Sequence, residues 1–432
     1  MHPSLPQGDF QTARQHRPVC SGRKAYWGSL ELYIHPDASA VVGAIAPDEP
    51  VILNRPHAAA RAARFFATKF PGKSLYAVKA NPSADLIRIL WDSGITHYDV
   101  ASIAEVRLVR ATLPDATLCF MHPVKTSKAI AEAYFDHGVR TFSLDTHDEL
   151  EKIVGATSDV DGNPATDLRL CVRLRVSSEY AELSLASKFG VDLADAAPLL
   201  QATRQVADWL GVCFHVGSQA MTPFAYVQAL ERVRAAIAEA GVVIDMIDVG
   251  GGFPSVYPGM EPPPLEDFFQ IIHRRFEALP IAYNAELWCE PGRALCAEYN
   301  SLVVRVEKRR GDELYINDGA YGALYDAAHV GWRFPVKCLA ADRVGEEHGF
   351  SFYGPTCDDA DFMEGPFTLP SDIKAGDYIE IGMLGAYGAA MRTAFNGFGQ
   401  GAAIDVADEP MASLYRGDRV DPRVSDNVVS LR

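Results

Sequence analysis

Between Leu75 and Glu290 the chain alternates eight short apolar runs with helical stretches, and this alternation is its strongest constraint on fold. The runs end near Lys79, Asp99, Met121, Leu144, Arg175, His215, Val249 and Glu290. Amphipathic segments lie between them, among them Ser83–Ser93, Ser102–Thr112, Lys125–His137, Ala194–Trp209 and Phe224–Ala240. Strand–helix alternation implies right-handed crossovers and a parallel sheet. Eight repeats over about 220 residues fit a (β/α)8 barrel, with an open doubly wound sheet as the alternative. Polar or glycine residues recur at the strand ends. In a barrel these would converge on one mouth, which favours the barrel.

The pattern changes after about Ala297. Ser301–Val306, Glu313–Asn317, Phe350–Tyr353 and Asp377–Ile381 read as strands with no helices between them, and Gly311-Asp312 and Ala375-Gly376-Asp377 supply turns. The expected division is a tail over 1–22, strands within 23–52 (Leu30–Ile34 and Val41–Ile45) that join a β-domain, a barrel over 53–297, the β-domain over 298–405 and a surface tail over 406–432. A formal charge of −16 argues against nucleic acid and anionic membranes as partners. No apolar run approaches the roughly 18 residues of a membrane span, and Met1–Arg17 is polar, without an apolar leader core. The eight cysteines are scattered without a C-x-x-C pair, which reads as reduced thiols in a cytoplasmic protein with no structural metal.

Four constellations carry chemistry. Leu75–Val78 is apolar and ends in Lys79. A lysine there needs a partner, and desolvation would lower its pKa and make it nucleophilic. Asp248-Val-Gly-Gly-Gly-Phe-Pro254 follows another apolar run. Gly250, Gly251 and Gly252 let backbone approach a ligand and aim N–H groups at an anion. In a barrel, the loop after strand seven is a common phosphate site. His215-Val-Gly-Ser218 ends the sixth run; His215 can stack on a flat ring and Ser218 can bond phosphate. Glu290-Pro-Gly-Arg293 ends the eighth, where Glu290 could hold a pyridine nitrogen protonated and Arg293 could pair with phosphate. A further loop, Gly354–Asp361, gathers Cys357 with Asp358, Asp359 and Asp361. Tyr325-Asp326 and Gly385-Ala-Tyr387-Gly388 are weaker signals.

In this order, Tyr76-Ala-Val-Lys-Ala-Asn-Pro82, Tyr98-Asp-Val-Ala-Ser102 with Glu105, His215-Val-Gly-Ser218, Asp248–Pro254, Glu290–Arg293, Gly354-Pro-Thr-Cys-Asp358 and Phe395-Asn-Gly-Phe398 resemble the pyridoxal-phosphate-dependent decarboxylases of the alanine-racemase-like barrel fold. The nearest branch is ornithine decarboxylase with its lysine/ornithine relatives, and the likeness runs from about Gly28 to Gly399. It implies a pyridoxal 5'-phosphate-binding barrel plus a C-terminal β-rich domain. Lys79 would carry the cofactor, His215 stack on its ring and Glu290 pair with its ring nitrogen. Ser218, Gly250, Gly251, Gly252, Arg293 and Tyr387 would hold the phosphate. Asp99, Glu105 and Arg173 would form a supporting network. Cys357 would reprotonate the α-carbon, while Tyr325, Asp326, Cys357 and Asp358 would line the substrate end. The resemblance further implies a homodimer with shared sites, in which the Cys357 loop reaches the neighbouring barrel and Lys188 pairs with Asp361 across the interface.

These residues point to decarboxylation of a basic amino acid, ornithine before lysine, yielding a polyamine precursor. Departures from the family pattern at Gly385–Arg392, Asp359–Met363 and Trp332-Arg333 bear on the substrate. Diaminopimelate, whose distal carboxylate would want Arg333, and carboxynorspermidine are alternative substrates. A catalytically inactive regulatory homologue is the non-enzyme alternative.

Overall fold

The computed structural model describes residues 24–27, 30–185 and 187–415. Eight parallel strands close into a barrel in chain order: Lys73–Ala77, His97–Val100, Thr117–Phe120, Thr141–Leu144, Arg169–Arg173, Trp209–Cys213, Met246–Asp248 and Glu286–Cys289, with the last paired back to the first. Short strands that are buried on both faces explain the nearly continuous apolar runs. Inside the barrel, Leu75, Cys119, Cys171, Cys213, Met246 and Trp288 pack together as a plug. Outside it, helices such as Ala84–Asp92 and Phe224–Ala240 cover the strands. Several helices start at caps placed just past strand ends: Ser83, Ser102, Thr126 and Thr146 each accept a backbone N–H of the first turn.

The first strand ends earlier than its apolar run. Val78–Ala80 forms one 3-10 turn, so Lys79 stands on that turn, two residues past the strand. The Tyr76 hydroxyl donates to Asn81 O at 3.0 Å and the Asn81 amide donates to Gly385 O at 2.8 Å, fixing the turn against the second domain.

That domain is a mixed sheet built on the long strand Asn300–Arg310, which pairs antiparallel with Glu313–Ile316, Tyr378–Ile381 and Val51–Asn54. Glu347–Tyr353 and Phe362–Pro370 extend the sheet. Buried Arg55 ties it to the barrel, donating to Ser301 Oγ at 2.8 Å and Glu380 Oε1 at 2.7 Å.

Three expectations for the flanks need correction. Val41–Ile45 belongs to a helix, Ala38–Ile45, because Asp37 caps it and its buried side chains, Ala38 and Val41, lie one turn apart. Among the described residues, Leu30–Tyr33 pairs only with Lys24–Trp27, as a separate two-stranded sheet; Val51–Asn54 is the early strand that joins the β-domain. The C-terminal segment is not all surface. Tyr415 is buried with its hydroxyl donating to Ala294 O, while Ala402–Asp405, within the expected β-domain, pairs in parallel with Val51–Asn54. The expected tails over 1–22 and from 416 onward lie outside the described residues. Among the described residues, no helix is long and apolar enough to cross a membrane.

Candidate active site

The C-terminal ends of the barrel strands surround a cavity of about 530 Å³, as barrel geometry requires. Nine of the expected residues line it: Lys79, Asp99, Arg173, His215, Ser218, Glu290, Arg293, Asp326 and Tyr387. The first six sit in or just beyond strands one, two, five, six and eight, so closure of the barrel brings them together.

Lys79 Nζ lies 2.7 Å from Asp99 Oδ2. The expectation of a depressed amine is corrected here. Burial alone would lower the Lys79 pKa, but the carboxylates of Asp99 and Glu290 outweigh it, and the amine is held above its ordinary value. Glu290 shows the opposite balance. It is buried, with Asp248 and Asp99 as acidic neighbours, and its pKa is raised well above the carboxylate range despite Lys79 and Arg173. Asp248 is fully buried and is pushed up to about 7, by burial first and then by Cys213. Its Oδ1 accepts the Gly250 N–H at 2.8 Å, and its Oδ2 has no hydrogen-bond partner.

His215 is kept neutral by burial, Arg173 and Lys79. Its Nδ1 accepts the Gly217 N–H at 3.1 Å. The glycine loop crosses behind the ring: a methyl carbon on Gly251 would lie 2.9 Å from His215 Nε2 and 2.8 Å from Glu290 O. Gly250 and Gly252 have φ of 69° and 105°, and a side chain on either would strike the backbone of Phe214 or Gly217. The loop therefore needs glycine for both torsion and space.

Arg293 is buried in a cage of rings. Its guanidinium lies 4.2 Å from Trp332 and 5.1 Å from Tyr387, both centroid distances. It donates to Tyr257 Oη at 3.1 Å and Ser218 Oγ at 3.4 Å, and Asp326 Oδ2 stands 3.6 Å away, too far for a hydrogen bond. Burial raises the Asp326 pKa in spite of Arg293. Tyr387 has a left-handed φ of 64°, and its N–H donates to Ala80 O, next to Lys79.

Other expected residues stand elsewhere. Glu105 does not line the cavity; its carboxylate accepts the Ala101 N–H at 2.7 Å at the start of the helix after strand two. Tyr325 stacks on His329, centroids 4.3 Å apart, outside the cavity. Cys357 and Asp358 line a separate cavity of about 610 Å³ on the β-domain. Lys188 lines the barrel cavity, but Asp361 is buried within its own chain and accepts from Ala320 N, Thr356 N and Thr356 Oγ1. Asp361 thus anchors the Cys357 loop from within its own chain. Arg333 donates to the carbonyls of Gly331 and Gly365 and also lies outside the barrel cavity.

Two features escaped the sequence reading. Phe189 is a platform in the cavity wall, with His122 edge-on at 5.1 Å, Lys188 at 5.0 Å and Arg173 at 5.3 Å. Tyr321, not Tyr325, addresses the acidic loop, its hydroxyl donating to Asp358. The Gly-Ala-Tyr-Gly setting of Tyr321 carries no signal in one sequence.

The family model described as the pyridoxal binding domain of the pyridoxal-dependent decarboxylases matches residues 57–297. The lysine/ornithine decarboxylase of Selenomonas ruminantium is 30% identical over 361 residues, spanning 81% of this chain and 88% of that protein. The ornithine decarboxylase of Cricetulus griseus is 31% identical over 373 residues, 80% of this chain and 78% of that protein. Among solved structures, the arginine decarboxylase of Paramecium bursaria Chlorella virus bound to agmatine superposes with a TM-score of 0.76 at 25% identity, over 85% of this chain and 98% of that one.

The cavity fits pyridoxal phosphate on its own chemistry. Glu290 is buried with raised pKa and wants a cation, which a protonated ring nitrogen would supply. Ser218 and buried Arg293 stand side by side in the cavity wall and offer donors to an anion. Lys79 faces the same space.

Proposed function

The chain belongs to the pyridoxal-dependent decarboxylases, and on that premise we propose that it removes the α-carboxyl of a basic L-amino acid as CO2, with L-ornithine preferred and L-lysine second. Its cofactor is pyridoxal phosphate. One observation carries the substrate reading: the cavity that holds Lys79 and Glu290 also contains Asp326, a mostly buried carboxyl whose ion pair with Arg293 at 3.6 Å does not offset its burial, so that its pKa stays raised. Such a group is stabilised by a cation, and the distal ammonium of ornithine or lysine provides one.

In this reading Lys79 carries the cofactor, and Asp99 holds the amine in place. His215 offers a neutral flat face. Glu290 takes the ring nitrogen, and Ser218, Arg293, Tyr387 and the N–H groups of Gly251 and Gly252 take the phosphate, while Gly250 shapes the loop with its own N–H committed to Asp248. Arg173 and Glu105 support the network from the strand-five end and the helix after strand two. Bound there, the cofactor supplies an electron sink for the pair left behind when CO2 departs. Cys357 delivers a proton to the α-carbon, and Asp358, held by Tyr321, shares the distal ammonium with Asp326. Cys357 and Asp358 line a different cavity of their own chain, which supports a homodimer whose sites each draw that loop from the neighbour. The scattered cysteines support a reducing, cytoplasmic setting.

The diaminopimelate alternative needs a free cation at the substrate end. Arg333 is committed to two backbone carbonyls, which disfavours it. The test has two parts. Borohydride reduction of the holoenzyme followed by peptide mapping is expected to place the cofactor adduct on Lys79; an adduct on another lysine refutes the assignment. Steady-state rates on ornithine, lysine, arginine, diaminopimelate and carboxynorspermidine are expected to rank ornithine first, and a preference for diaminopimelate overturns the substrate class.

A further inference from the structure

Cys357 and Asp358 are adjacent, and each is gripped by a different residue. Tyr321 holds Asp358. Cys357 is held by Asn396: its backbone N–H and its Sγ both lie 3.2 Å from Asn396 Oδ1. We infer that Asn396 is a positioning residue for the thiol, fixing the direction in which Cys357 presents its proton. The inference rests on the donor role proposed for Cys357 above.

The orientation of the amide is not arbitrary. A backbone N–H can only donate, so the group facing Cys357 N must be the amide oxygen; the amide nitrogen there would set donor against donor. The same oxygen then faces Sγ. The thiol satisfies it by donating S–H, so the S–H bond points at Asn396.

The backbone explains why this position suits asparagine. Asn396 has φ of 55°, in the left-handed region that asparagine tolerates better than most side chains. The turn is anchored on both sides. Thr393 N and Oγ1 donate to Tyr321 O at 2.9 and 3.1 Å, and the Phe395 ring packs on Tyr321 at 4.8 Å. Tyr321 thus grips Asp358 directly and carries the turn that grips Cys357, so one aromatic residue sets the register of both.

The test reads turnover of the holoenzyme on ornithine. Asn396→Ala is expected to lower kcat on the order of tenfold, as misplacing a proton donor does, with KM and the borohydride-trapped cofactor unchanged. Asn396→Asp keeps an acceptor oxygen in the same place and is expected to recover most of that loss, which a merely structural role would not predict. An unchanged kcat in Asn396→Ala, or no recovery in Asn396→Asp, overturns the role of Asn396. A Cys357→Ala enzyme with undiminished turnover overturns instead the donor role on which the inference rests.

Discussion

The Lys79 ammonium and the Asp99 carboxylate form a 2.7 Å ion pair whose carboxylate end is almost fully buried, and this pair sets the state of the amine. Burial works against the charged lysine, while Asp99 and then Glu290 work for it and prevail. Asp99→Asn removes the larger favourable charge and leaves desolvation in place, so the amine pKa should fall. The expected outcome is that apoenzyme captures pyridoxal phosphate with a pH midpoint displaced to lower pH, followed by absorbance. A midpoint that is unchanged, or displaced upward, would show that Asp99 does not hold the proton on Lys79.

Gly251 tests the glycine loop. Unlike Gly250 and Gly252 it has an ordinary φ, so alanine there adds no torsional strain, only a methyl group against His215 Nε2 and Glu290 O. Gly251→Ala should leave the barrel folded by circular dichroism and weaken cofactor binding, on the order of 1–3 kcal/mol for overpacking a tight site. Equal affinity for pyridoxal phosphate in both proteins would show that the His215 ring and the loop have room to spare.

The barrel was legible because its strands are buried and its helices amphipathic, so both periods are written locally. Six of the nine cavity residues were legible because strand ends of a barrel meet at one mouth; Asp326 and Tyr387 lie in the second domain, and their site roles came only from the family likeness. What was missed depends on contacts far apart in the chain. Ala402–Asp405 is a strand only because Val51–Asn54 offers it an edge. Val41–Ile45 looked like a strand by its β-branched residues, yet the Asp37 cap decided for helix. The sign of the Lys79 shift turned on how near Asp99 comes, a distance no spacing gives. The three donors that surround Asp361 from its own chain likewise come together only through contacts that no local spacing gives.

Assembly can be read from complementation. Lys79→Ala and Cys357→Ala are each expected to be inactive. Mixed under subunit exchange, they should recover about a quarter of wild-type sites if every site takes Lys79 from one chain and Cys357 from the other. Proven exchange without recovery would place both residues of a site in one chain.

A last prediction concerns stability. Glu298 is buried where the C-terminal segment crosses the barrel, accepting Arg61 Nη2 at 3.2 Å and Leu414 N at 3.2 Å. Burial raises its pKa from 4.5 to about 7, with the Ser413 hydroxyl and then Arg61 pulling back only in part. The folded state therefore binds a proton that the unfolded chain releases above about pH 4.5. Its contribution is fully present below that pH and is lost as pH rises through about 7, a change on the order of 3 kcal/mol. Glu298→Gln does not titrate, so its stability relative to wild type should improve by that order between pH 5 and pH 8. Urea unfolding at fixed protein and cofactor concentration measures the difference. A gap between the two proteins that stays constant with pH would mean that Glu298 ionises in the folded state as readily as in the unfolded one, with Arg61 and the Leu414 N–H fully offsetting its burial.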